Sequence, residues 1–124
     1  MTVGEAIAEA QQLLPGQAAL DGSEDPRWQA ITKISDFIPQ EPEVIWPFVL
    51  EWGSHENDDV RAAIATVLLE HLLEYHFDLL FPRIEIAARS NVWFGKTTGL
   101  CWKFGQAKEP ARAARFDRLL SEIR

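Results

Sequence analysis

Apolar residues recur at spacings of three and four along nearly the whole chain, and strict alternation is almost absent, so the pattern predicts helices throughout. Near residues 3–14, Val3, Ile7, Ala10 and Leu14 share one face, and Pro15-Gly16 stops the run. Asp25 is placed to cap the next helix and Pro26 suits its first position, where a missing N–H costs nothing. That helix carries Trp28, Ile31, Ile34 and Ile38 and ends before Pro39. Glu41-Pro42 opens a third, with Val44, Ile45, Phe48, Val49 and Trp52 apolar and Pro47 inside, where a proline removes a backbone bond and kinks the helix. Gly53-Ser54 ends it, and Asn57 or Asp58 caps a fourth. Val60, Ile64, Val67, Leu68, Leu72 and Tyr75 give that helix the broadest apolar stripe, which predicts a central, buried position. A fifth runs near 77–89 with Pro82 inside. Ser90-Asn91 caps a sixth, which carries Val92, Trp93, Leu100 and Phe104 and ends at Gly105. Gly95 and Gly99 make it either a soft helix or a tight crossing. From Glu109 the tail reads as a basic amphipathic helix with Phe116, Leu119, Leu120 and Ile123 inward.

Three segments share one design. Pro15, Pro47 and Pro82 stand 32 and 35 residues apart, each followed by a turn and an apolar residue opening the next helix (Trp28, Val60, Val92). A period in this range is the mark of stacked helix pairs, because one hairpin cannot bury both its faces. The middle unit resembles a HEAT repeat: Pro47 lies in an apolar first helix, Asn57 to Asp59 form an Asp/Asn turn, and Val60-Arg61-Ala62-Ala63 opens the second helix. The resemblance is closest over 41–76 and looser over 13–38 and 77–104, where Gln29 and Phe94 stand near the place of Arg61. It implies an all-α fold, a short right-handed α-α superhelix of about three HEAT-like hairpins with the last helix as a cap. In such a stack the arginine and the turn aspartate tend to form ladders between repeats.

Length and composition agree with a single domain over 1–124: 124 residues are enough to bury a core without a staple. The lone cysteine, Cys101, cannot form an internal disulfide and reads as a small buried residue. The start MTVGEAIAEAQQ lacks the basic and apolar runs of a secretory leader, and no apolar stretch reaches membrane-spanning length. A cytoplasmic protein without a membrane segment is the expectation.

Charge alters the picture more. Residues 1–59 hold twelve acids and two bases, Arg27 and Lys33, whereas 60–124 hold ten bases and seven acids. An acidic half of this kind steers basic partners at long range. In the repeat register, the turn with Asp21, Glu24 and Asp25 is equivalent to that with Glu56, Asp58 and Asp59, so both are expected on one edge of the stack. The expected function is therefore a non-catalytic protein-protein interaction module whose acidic edge, formed by these six residues, binds a basic protein. A sharper form is an immunity or antitoxin protein neutralising a cationic toxin.

A different class, a small enzyme or metal-binding protein, would use the stretch Glu70 to His76. Its His71-x-x-Glu74-x-His76 spacing misses both HExxH and HxxEH, and His76 lies about 140° around the helix from His71. The stretch reads instead as a solvent edge, with Glu70 and Glu74 one turn apart. There is no legible catalytic triad, phosphate loop or nucleophile elbow. Neither a cofactor nor a metal site is expected, nor an enzymatic activity. Lys96, Lys103, Lys108, Arg112, Arg115 and Arg118 stand near Trp93 and Trp102, and such a combination can grip phosphates and stack bases. The net charge of −7 argues against nucleic acid as the partner.

Overall fold

Helices form where capping and apolar period coincide, and the computed structural model, which describes residues 1–16 and 24–123, contains no strand among them. Helix α1 (Val3–Leu13) starts in a capping box, with Thr2 and Glu5 each satisfying the other's backbone N–H. Helices α2 (Pro26–Ser35) and α3 (Pro42–Gly53) both take proline at their first position. Helix α4 (Asp58–Ala63) widens into a π-helical stretch (Ile64–Leu69), which runs on into α5 (Glu70–Ser90). After α6 (Val92–Gly99) come an irregular stretch, a 3-10 turn (Gly105–Lys108) and α7 (Pro110–Glu122).

The helices pack in two layers. Helices α1, α3 and α5 contact one another in that order, and α2, the π-helical stretch and α6 do the same behind them. Each member of the first layer also packs on its successor, α1 on α2, α3 on α4 and α5 on α6. The core follows the predicted stripes. Ile64, Leu68, Leu69 and Leu72 are fully buried, each worth about 2 kcal/mol of apolar burial, which makes this the central element. Helix α7 closes one end by burying Phe116 and Leu119, with Phe116 stacked 6.1 Å from Phe81.

Several expectations are corrected. The fourth and fifth helices run on as one helix bent at the expected boundary, His76 (φ −139°, ψ 45°), and Pro82 sits within regular helix. The break frees the N–H of Phe77 and the carbonyl of Tyr75, and the side-chain amide of Gln106 serves both, at 2.9 and 2.8 Å. The sixth helix stops at Gly99, so Cys101 and Phe104 lie beyond it. Gly95 is the tight crossing, since a β-carbon there would stand 3.2 Å from the Ala88 carbonyl oxygen, whereas Gly99 faces open space. Helix α2 ends at Ser35 and the chain reaches the buried Ile38 through turns. Val44 and Tyr75 point outward. Among the described residues no helix is long and apolar enough to cross a membrane.

Candidate functional site

Three second-layer helices begin the same way. Asp25 accepts the N–H of Arg27 at 2.9 Å, Asn57 that of Val60 at 3.0 Å, and Asn91 those of Trp93 and Phe94 at 2.9 and 3.0 Å. Each cap side chain satisfies donors that the first turn leaves open.

Arg27 joins the first two of these ends. Its guanidinium is buried, and it donates from Nη2 to Asp25 at 2.9 Å and to Asp59 at 2.5 Å. Nε adds a bond to Asp25 at 3.2 Å, and Nη1 reaches the Pro15 carbonyl at 2.7 Å. One side chain thus ties the end of α1, the cap of α2 and the first turn of α4. The hydrogen bond to Asp25 holds the arginine even more firmly in its charged form. The indole N–H of Trp28 also donates to Asp59, at 3.2 Å. Burial of a charge requires such pairing, because the desolvation cost is otherwise unmet.

The next junction uses Arg61, also buried. It pairs with Asp58 and lies over the ring of Trp93, 5.0 Å from its centroid, and Lys96 approaches the same ring at 4.8 Å. Contacts of this kind between a cation and an indole add to the cohesion of α4 and α6.

The six acids expected to bind a partner divide as follows. Asp21 lies outside the described residues. Asp25 and Asp59 meet on Arg27, which places their two turns on one edge. Asp25 is mostly enclosed there, whereas nearly half of the Asp59 side chain stays in solvent. Asp58 covers Arg61 with 93% of its side chain exposed. Glu24, which accepts a bond from Gln29, and Glu56 are exposed. Arg27 itself was not expected in this role. Its signal was present, as one of two bases among twelve acids in the first half, two residues after a cap.

The stretch from Glu70 to His76 does not converge on one point. Glu70 is buried, in contrast to the expected solvent edge, and accepts the N–H of Trp102 at 2.7 Å. Burial pushes its carboxyl above the usual range. His71 bonds Glu74 at 2.8 Å and stacks on Phe104, while His76 faces the carbonyls of Ile38 and Pro39 at 2.9 and 3.1 Å. Among the described residues, no group of three histidine, cysteine or acidic side chains is placed to hold a metal ion. The Cys101 thiol is pushed well up by burial, with Glu70 adding to the effect, which keeps it protonated.

The bases of the second half are largely engaged within the chain. Arg112 pairs with Asp78, Arg115 with Glu85, and Lys103 with Asp117. No protein-family model, curated protein or solved structure matches the chain.

Proposed function

We propose that this chain is a short HEAT-like α-α superhelix, and that it acts as a non-catalytic module binding a basic protein along its acidic edge. The repeat reading is supported by caps at equivalent places, Asp25, Asn57 and Asn91. It is supported as well by the contacts of Arg27 with Asp59 and of Arg61 with Trp93, each linking neighbouring second-layer helices. Stacked pairs of this type offer extended surfaces for partners.

The observation that carries the binding reading is the Arg27 clamp. It holds two acidic turns side by side while Glu24, Glu56 and Asp58 keep their carboxylates in water. A row of solvated carboxylates on a fixed frame accelerates encounter with a basic surface and raises selectivity more than raw affinity. Such binding weakens as salt rises.

The test uses the wild-type chain and a Glu24→Lys, Glu56→Lys double variant as baits in lysate of the native cell, eluted with rising salt. Both positions are exposed, so the fold is expected to persist, and circular dichroism verifies it. The expected result is one stoichiometric basic protein that leaves the wild type at moderate salt and is absent from the variant. Equal retention by both baits, or no companion on either, would overturn the proposal.

A further inference from the structure

Helix α7 covers α6 incompletely. Ile123 comes close at Gly95, where an added β-carbon would lie 3.6 Å from its Cδ1, whereas a β-carbon at Gly99 would meet nothing. A groove of about 510 Å³ runs between the two helices, a volume within the range of small-molecule sites. Gly95 and Gly99 stand one turn apart on its α6 side, and the missing side chain at 99 keeps it open.

Val92 and Ile123 mark one end of the groove, where a second hollow of about 520 Å³ shares them both. Leu100 and Leu120 mark the other, since α7 passes α6 in the opposite sense. From Val92 to Leu100 the distance is about 12 Å at 1.5 Å per residue. Val92 is 66% and Leu100 45% exposed, so these apolar walls stand in water.

Lys96 is the one charged residue of this lining. The neighbouring charges satisfy one another. Arg89 bonds Glu122 at 2.6 Å and approaches Glu85, which Arg115 meets in turn, so these four form a neutral network. Lys103 pairs with Asp117 and Arg61 with Asp58. Among the described residues Lys96 has no carboxylate partner, and its ammonium lies over the Trp93 ring, toward the Val92 end of the groove. One uncompensated positive charge therefore stands at one end of an apolar slot, on a chain of net charge −7. That pattern fits a molecule with an apolar body and a single anionic head. A partner helix is about 10–12 Å wide and does not enter a slot that narrows to van der Waals contact at Gly95, whereas an unbranched chain does.

We propose that this groove binds a free monocarboxylate with an unbranched apolar chain. About eight to ten carbons fill about 12 Å at about 1.25 Å per carbon along the zigzag. The tail lies over Gly99 between Leu100 and Leu120, and the carboxylate pairs with the Lys96 ammonium. Each methylene taken from water strengthens the contact, but one side of the groove stays open to solvent, so the affinity is modest.

Proton–nitrogen correlation spectra of the full chain, titrated with sodium decanoate, test this. The expected result is saturable shifts of the Gly95 and Gly99 amides with a Kd of about 0.1 mM. Lys96→Gln weakens decanoate about fivefold. Decanol, which has the same chain and no charge, binds wild type and Lys96→Gln alike. Gly99→Leu fills the groove and abolishes the shifts at Gly95, with circular dichroism unchanged, because position 99 has room for a side chain and a helix accepts leucine better than glycine. Absence of saturable shifts overturns the proposal, as does retention of the chain on phosphatidylglycerol vesicles without decanoate binding, which would make this face a membrane contact. Undiminished binding by folded Gly99→Leu overturns the site, and equal decanoate affinity of Lys96→Gln and wild type overturns the role of the carboxylate.

Discussion

Replacing Arg27 by alanine removes the cation that Asp25 and Asp59 share. The side chain is buried and makes charge-assisted bonds to Asp25, Asp59 and the Pro15 carbonyl. Breaking a buried ion pair from one side costs roughly 3–5 kcal/mol, because the remaining charge is left without a partner. Here the two acids differ. Nearly half of the Asp59 side chain is in solvent and can rehydrate, whereas that of Asp25 is only 16% exposed. The loss therefore falls at the low end, about 3 kcal/mol. Against a typical stability of about 5–15 kcal/mol, that is a large share. Urea denaturation, followed by both circular dichroism and tryptophan fluorescence, reads it as a lower midpoint at unchanged slope.

Arg27→Lys separates charge from geometry. A lysine keeps the cation but cannot reach two carboxylates and a carbonyl as a planar fork does, so an intermediate loss is expected. A loss below about 1 kcal/mol for the alanine variant would place Arg27 among ordinary surface pairs. The clamp would then not be what holds the two turns on one edge.

Two further changes test the central element. Gln106→Ala leaves the Phe77 N–H and the Tyr75 carbonyl at the His76 break without their partner; since water reaches part of this site, the expected loss is about 1 kcal/mol, with faster amide exchange at Phe77. Glu70 has its carboxyl raised above 4.5 by burial, so the folded state binds the proton more tightly, and its stability falls as pH rises from 4.5 through the raised value. Glu70→Gln abolishes that fall, and the gap between variant and wild type should widen in the variant's favour from acid to neutral pH; a pH-independent gap in paired melts would refute it.

What was legible in the sequence follows from which forces are local. Caps and apolar stripes are local, and Asp25, Asn57 and Asn91 cap the helices where the pattern places them. The break at 76 was legible as a boundary between two periodic runs, though not as one long helix bent at His76. The amide that meets the groups freed there belongs to Gln106, far along the chain. The end of α6 at Gly99 was missed because Leu100 and Phe104 continue the helical spacing while in fact flanking an irregular stretch. Glu70 was misplaced for the same reason. Its partner, the Trp102 N–H, exists only because that stretch runs beside α5.

The candidate site divides along the same line. Its acids were visible as composition, but whether an acid is free or bound depends on which cation the fold brings to it. Arg27 and Arg61 sit behind the acidic turns, with Asp58 and part of Asp59 still facing water in front of them. Buried arginines of this kind do two things at once. They make the edge rigid, so that its carboxylates are held in a fixed order, and they offset part of the repulsion that gathering those acids creates. The acidity of the edge and its fixed shape therefore have one physical origin.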